Sequence, residues 1–233
     1  MEKLGRRSKT FAGWRIRDGA PRRRHACCSQ RRVRGFTLIE LLVVIGILAL
    51  LAGLLYGALS PAARRSQEKA ARAMIERLRL ALEQYASDFG DFPPTTLGAL
   101  GASGNGTNEG IESLVRCLTT EQARGPYIEF AERDLANTDN DSLLRDPCLS
   151  TIRSKELFEL VDPWGNPYVY FHHRDYRGGE KLSRYLIGGR VQTARPRPSE
   201  KTGQYPGVAS FVIWSAGPNG ENEDGRGDDV SSW

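Results

Sequence analysis

Arg34-Gly35-Phe36-Thr37-Leu38-Ile39-Glu40, running straight into the uncharged stretch Leu41–Ala63, is where the reading of this sequence begins. One carboxylate, Glu40, stands at the head of a segment that otherwise holds no charge. At about 1.5 Å per residue, a helix over Phe36–Leu59 is long enough to cross the roughly 30 Å hydrocarbon core of a bilayer. A carboxylate in such a helix costs about 2.5–3.5 kcal/mol at the centre and less near the edge, so it calls for a partner. Cleavage between Gly35 and Phe36 would supply one, because the new α-amine has a reference pKa of about 8 and is largely protonated. That amine would lie four residues from Glu40, or beside the Glu40 of a neighbouring copy. Taken alone, Glu40 reads as a helix-start carboxylate favoured by the macrodipole in an ordinary signal anchor. The residues around it and the basic flank decide for the first reading.

That flank also resolves the charge. The chain carries a formal +5, but residues 1–35 hold twelve Lys/Arg against two Asp/Glu, which is +10 and leaves −5 for everything after Gly35. A basic balance ordinarily raises nucleic-acid binding. Here the arginines end directly against an apolar run, which reads as a topology signal with positive charge kept on the cytoplasmic side. No nucleic-acid partner is expected.

Past the apolar run, Met74, Leu78, Leu82, Tyr85 and Phe89 recur at spacings of four and three with charged residues between them, the pattern of an amphipathic helix. Gly90 offers a C-terminal cap and Pro93-Pro94 forbid continuation, so one long helix is expected over residues 36 to about 89, with a kink or local break at Pro61. Short helices are expected at Ile111–Leu118 and Ser154–Leu160, and strands at Tyr168–His172, Arg184–Ile187 and Val208–Trp214.

Three further features bear on chemistry. Asp162-Pro163-Trp164-Gly165-Asn166-Pro167 reads as a turn entering a strand. Between Asn219 and Asp229 stand seven acidic or amide side chains with Arg226 as the single base. Carboxylates that crowded repel one another unless solvated or holding a cation, although the spacing does not fit an EF-hand loop. Cys117 and Cys148 remain after the leader cysteines, and either a disulfide or two reduced buried thiols fits the sequence. His172 and His173, adjacent on an expected strand, should point to opposite faces and not share a metal. No nucleophile–base set has supporting context, so no catalytic residues are expected.

Gly35-Phe36-Thr37-Leu38-Ile39-Glu40-Leu41-Leu42-Val43-Val44-Ile45 resembles the prepilin cleavage and methylation signature of type IV pilins and type II secretion pseudopilins. The resemblance implies cleavage after Gly35 by a prepilin peptidase, N-methylation of Phe36 and a role for Glu40 in filament assembly. Asp162–Tyr170 resembles the Asp-Pro-Trp-Gly turn of the major pseudopilin, and the tail is similar to the calcium loop that closes it. That likeness implies calcium, with Asn219, Asp228 and Asp229 as side-chain ligands and the Ala216 and Val230 carbonyls as weaker ones. Asn219 departs from the aspartate common there. Residues 99–160 and 174–207 look longer than the family usually carries, the leader is long, and Pro61 stands four residues after the place of the usual helix-kinking proline, Gly57.

The implied fold is α+β, a long N-terminal helix packed on a small C-terminal antiparallel sheet. The implied organisation is a cleaved leader at 1–35, a transmembrane and assembly helix at 36–60, and a periplasmic domain at 61–233 with an insertion at about 99–160. Such a subunit would sit in the inner membrane and polymerise with other pseudopilins. It would meet the prepilin peptidase and the inner-membrane secretion platform, and would support export across the outer membrane. A minor pilin or type IV pilus subunit, and less so a signal-anchored periplasmic enzyme, are the competing readings.

Overall fold

Helix α1 runs from Leu38 to Phe89, 52 residues, in the computed structural model of the chain. The structure describes residues 35–146, 148–178 and 183–233, with the side chains of 54–62 outside the description. The expected leader, apart from Gly35, therefore lies outside the described residues, and so do the side chains of the expected span beyond residue 53. The chain divides into two units, Met1–Ala49 and Leu50–Trp233, and α1 contributes residues to both. Its helical backbone continues through Pro61 without the break that the sequence allowed. Proline deletes one backbone hydrogen bond and crowds the preceding turn, at a cost of about 3 kcal/mol that helical turns on both sides can offset. The helix ends where the residues dictate: Gly90 has φ +78° and donates its N–H to the Ala86 carbonyl at 2.8 Å. Left-handed backbone of this kind carries little penalty only for a residue without Cβ.

Within the second unit, α1 buries Ala71, Ile75, Leu78, Leu82 and Tyr85. This stripe is centred one residue from the expected one, so Met74 is only half-buried and Phe89 is exposed. Each fully buried Leu or Ile contributes about 1.5–3 kcal/mol. The stripe packs in one core with α2 (Glu109–Leu118) and with strands β3 (Val169–His172) and β6 (Phe211–Ser215). Gly110 in α2 lies so close to Tyr185 and to the Tyr170 carbonyl that no side chain fits there.

The sheet is not one piece. β3, β6 and β7 (Val230–Ser231) form an antiparallel triple, with Val169 opposite Trp214 and Trp214 opposite Ser231. β4 (Arg184–Ile187) pairs with β5 (Arg190–Thr193) across Gly188-Gly189, both at positive φ, as a tight hairpin requires. β1 (Leu135–Ala136) pairs with β2 (Glu159–Leu160). The strand expected from Val208 starts only at Phe211, because Ser210 closes a turn onto the Gly207 carbonyl.

The helix expected at Ser154–Leu160 does not form. Buried Arg116 takes the carbonyls of Ile152 (3.1 Å), Ser154 (3.0 Å) and Glu156, acceptors that a helix would use internally. The segment stays extended and ends as β2.

A polar clip fastens the end of α1 to the following loop. Asp88 accepts from Arg124 Nε at 2.9 and 3.0 Å and from the Tyr127 hydroxyl at 2.6 Å. Arg124 and Tyr127 together hold its carboxyl well below the usual range, at about 2. A depressed folded pKa gives stability that is present above the unfolded pKa and lost as pH falls through the folded one. The melting temperature of the purified full-length chain should therefore drop between pH 4 and 2 more steeply than that of Asp88→Asn. Parallel curves would remove the clip from the account.

Candidate functional site

Two regions carry the chemistry singled out in the sequence. At the start of α1, Thr37 and Glu40 close a reciprocal cap. Glu40 Oε2 accepts from the Thr37 N–H (2.8 Å) and hydroxyl (2.9 Å), while the Glu40 N–H donates to Thr37 Oγ1 at 3.2 Å. This capping box satisfies backbone donors that have no partner inside the helix. Gly35 and Phe36, the residues flanking the expected cut, are exposed, Phe36 at 79%. Every apolar side chain from Phe36 to Leu51 is exposed too, from Val44 at 44% to Leu38 at 81%. A helix apolar on all sides differs in kind from the amphipathic stretch that follows it. Among the described residues no helix is long and apolar enough to cross a membrane; the expected span Phe36–Leu59 passes into residues 54–62.

The second region is the tail, 216–230, between β6 and β7. Its seven acidic and amide side chains separate into two groups. Glu221 pairs with Arg190 at 2.7 Å, Asn222 accepts from Trp214 Nε1 at 2.8 Å, and Asp224 accepts from Arg197 Nε at 2.6 Å. These three hold the loop to its neighbours. Asn219, Glu223, Asp228 and Asp229 converge instead, and carboxylate oxygens of Glu223, Asp228 and Asp229 lie within 4.8 Å of one another. Asp229 Oδ2 accepts from the N–H groups of Glu223 (3.0 Å) and Gly225 (2.8 Å), yet its Oδ1 is buried with no partner. Burial, with the charges of Glu223 and Asp228 added, pushes the Asp229 carboxyl up to about 7.

Glu223 is not among the expected ligands; it stands six positions before Asp229, with Asp224, Gly225 and Gly227 at positive φ between them. Asn219 is engaged at both ends of its amide, donating to Asp228 Oδ1 at 2.5 Å and accepting from the Glu221 N–H at 2.7 Å. Ala216 and Val230 are buried where β6 and β7 leave the loop, Val230 directly opposite Ser215.

The turn before β3 anchors this region. Buried Asp162 accepts from the N–H groups of Trp164 and Asn166, both at 2.9 Å, through Oδ1, and from the Ser215 hydroxyl at 2.6 Å through Oδ2. Gly165 closes the bend at φ +88°, and Asn166 Oδ1 accepts from Gly188 at 2.8 Å. Turn, hairpin and loop are thus wired together through two side chains.

Cys117 and Cys148 are buried with their sulfurs 3.7 Å apart, unbonded. His172 and His173 depart from expectation: their rings lie 4.3 Å apart, and both can approach Asp91. β3 ends at His172 and a 3₁₀ turn starts at His173, so the strict alternation of a strand no longer applies. Asp91 is already bonded to His172 Nε2 (2.9 Å) and paired with Arg174 (2.8 Å).

Residues 30–56 match the family described as the prokaryotic N-terminal methylation motif. The type II secretion system core protein G of Escherichia coli is 26% identical over 200 residues, 86% of this chain and 90% of that protein. The Pseudomonas aeruginosa protein of the same name is 29% identical over 141 residues, 60% of this chain and 75% of its own length. A fimbrial protein of Neisseria meningitidis is 29% identical over 99 residues, 42% of this chain and 49% of that one. No solved structure matches.

Replacing Ser215 by Ala leaves Asp162 Oδ2 buried without its donor, a loss of about 1–3 kcal/mol. Urea unfolding of the purified chain should show the midpoint fall with an unchanged slope. A midpoint equal to the wild type would mean that the turn does not depend on this bond.

Proposed function

We propose that this chain, a type IV pilin-like protein of the major-pseudopilin kind, is a structural subunit of a type II secretion pseudopilus. It polymerises through its N-terminal helix and supports protein export across the outer membrane. The observation that carries the reading is the exposed, wholly apolar start of α1, headed by one carboxylate. Apolar surface of that extent needs a cover. Before assembly the cover is the inner membrane, with the C-terminal domain in the periplasm; in the filament it is the same helix of other subunits. Covering it contributes about 25 cal/mol per Å².

Glu40 gives assembly its register. In a single chain it is occupied by Thr37. Once a prepilin peptidase has freed and methylated Phe36, the cationic amine of a neighbouring subunit competes for the same carboxylate. Only a correct longitudinal offset brings the two charges together, and low dielectric makes mispairing costly. The inner-membrane secretion platform is the expected partner in this step. A type IV pilus reading has less support, since the fimbrial relative overlaps less than half of either chain.

Calcium belongs to the same proposal. The unpartnered Asp229 Oδ1 and the crowding of Glu223 and Asp228 fit a hard cation, with Asn219 and the Ala216 and Val230 carbonyls as further candidates. Bound there, the ion would supply the positive charge that this loop lacks. Asp228 and Asp229 would hold it while β6 and β7 fix the two ends of the loop. Cys117 and Cys148, already in contact, are placed to close a disulfide in an oxidising compartment.

Mass spectrometry of the mature chain should find N-methyl-Phe36 as the first residue, and Glu40→Gln should be processed normally yet fail to enter filaments. A mature start beyond residue 59 would sink the reading. Chelating calcium should lower the melting temperature of the wild type more than that of the Asp228→Asn/Asp229→Asn variant. Equal drops would remove calcium from the tail.

A further inference from the structure

Glu112 lies on α2 with no exposed surface, and neither of its carboxylate oxygens has a partner. Three more carboxylates surround it. Oxygens of Glu112, Asp139 and Glu159 fall within 4.8 Å of one another, and Asp141 acts on Glu112 more strongly than any other charge. Asp139 Oδ1 and both oxygens of Asp141 are likewise buried without partners, which makes five unsatisfied carboxylate oxygens on Glu112 and two of its charged neighbours.

The remaining oxygens are held from outside. Glu159 Oε1 accepts from Asn108 Nδ2 at 3.0 Å and its Oε2 from the Thr138 N–H at 2.8 Å; Asp139 Oδ2 accepts from Asn105 Nδ2 at 2.9 Å. Asn108 stands at the cap position of α2 in left-handed backbone, but its side chain does not cap the helix. It serves the cluster instead, bonding Glu159, Thr138 and the N–H of Leu186. Arg116, the buried cation of the same helix, directs its NH groups to the carbonyls of 152, 154 and 156 and to Asp146. Among the described residues nothing cationic bonds to the four carboxylates.

We propose that Glu112, Asp139, Asp141 and Glu159 form a second divalent-cation site, for calcium or an equally hard ion, around which the segment 99–160 folds. The donor set is oxygen alone, which selects hard cations over zinc or copper. Calcium tolerates six to eight oxygens in an irregular cage, whereas magnesium demands near-octahedral geometry and keeps its waters. Five free oxygens from three side chains match the first better. Without a cation, burial and mutual repulsion push Glu112 up to about 11, Glu159 to about 7 and Asp141 to about 6. A proton on Glu112, donated to a neighbouring carboxylate, would satisfy two of the five oxygens and leave three without partners. The site is separate from the tail loop: every residue in it comes from 105–159, the stretch read in the sequence as an insertion.

Equilibrium dialysis of the full-length chain in detergent against calcium tests this. The wild type should bind two ions, and the Asp228→Asn/Asp229→Asn variant, which leaves the cluster untouched, should keep one. Glu112→Gln and Asp139→Asn, the latter at the half-exposed rim, should each bind one ion fewer than the wild type. If the wild type binds one ion, the tail variant still one, and Glu112→Gln none, the cluster stands and the tail site falls. A tail variant that binds none overturns the cluster, as do Glu112→Gln and Asp139→Asn chains with wild-type stoichiometry. Should Glu112→Gln not fold, Asp139→Asn and the tail variant still decide.

Discussion

One helix that needs two kinds of cover is the constraint on which the rest depends. The second part of α1 shows a single apolar stripe, and the domain is the means of burying it: α2, β3 and β6 close over Ile75, Leu78 and Leu82. The first part is apolar on every side and is left exposed from Phe36 to Leu51. The unburied part leaves a continuous apolar surface, and surface of that extent calls for a cover from outside the domain.

Polar groups do the positioning inside the domain. Asp162 ties the turn before β3 to Ser215 at the end of β6, and Asn166 carries the tie to the β4–β5 hairpin. Asn108 does the same for the insertion, joining α2 to residues 138, 159 and 186. Each is a buried side chain with its hydrogen bonds satisfied, which specifies one arrangement of otherwise short elements. Among the described residues such bonds are missing at Arg116 Nε and in two acidic clusters, one in the tail and one under α2. Buried carboxylates that repel one another do not stabilise a fold, which sets both clusters apart from the satisfied polar groups around them.

How far the residues alone carried the reading depends on the range of the interaction. The stop at Gly90, the turn at Asp162–Asn166 and the helix ending at Leu118 are local, and each follows from neighbours within a few positions. The β4–β5 hairpin was equally legible, since Gly188-Gly189 between two strands is a strong signal, but β5 was passed over. The helix expected at Ser154–Leu160 failed because Arg116, some forty residues earlier, captures its carbonyls. His172 and His173 meet because the strand ends between them, a boundary that alternation alone does not reveal.

By itself, then, the sequence determined which part of the helix is apolar all round, where the prepilin-like motif stands at its head, and where acidic and amide side chains crowd in the tail. These depend on order and composition over short stretches. Tertiary structure alone decided which carboxylates meet. It turned Glu221 and Asp224 toward arginines and brought Glu223 onto Asp228 and Asp229. It also gathered Glu112, Asp139, Asp141 and Glu159 from positions up to 47 apart in the chain. Electrostatic repulsion acts through space and sequence spacing through the chain, so only the folded backbone could say which acids share a site.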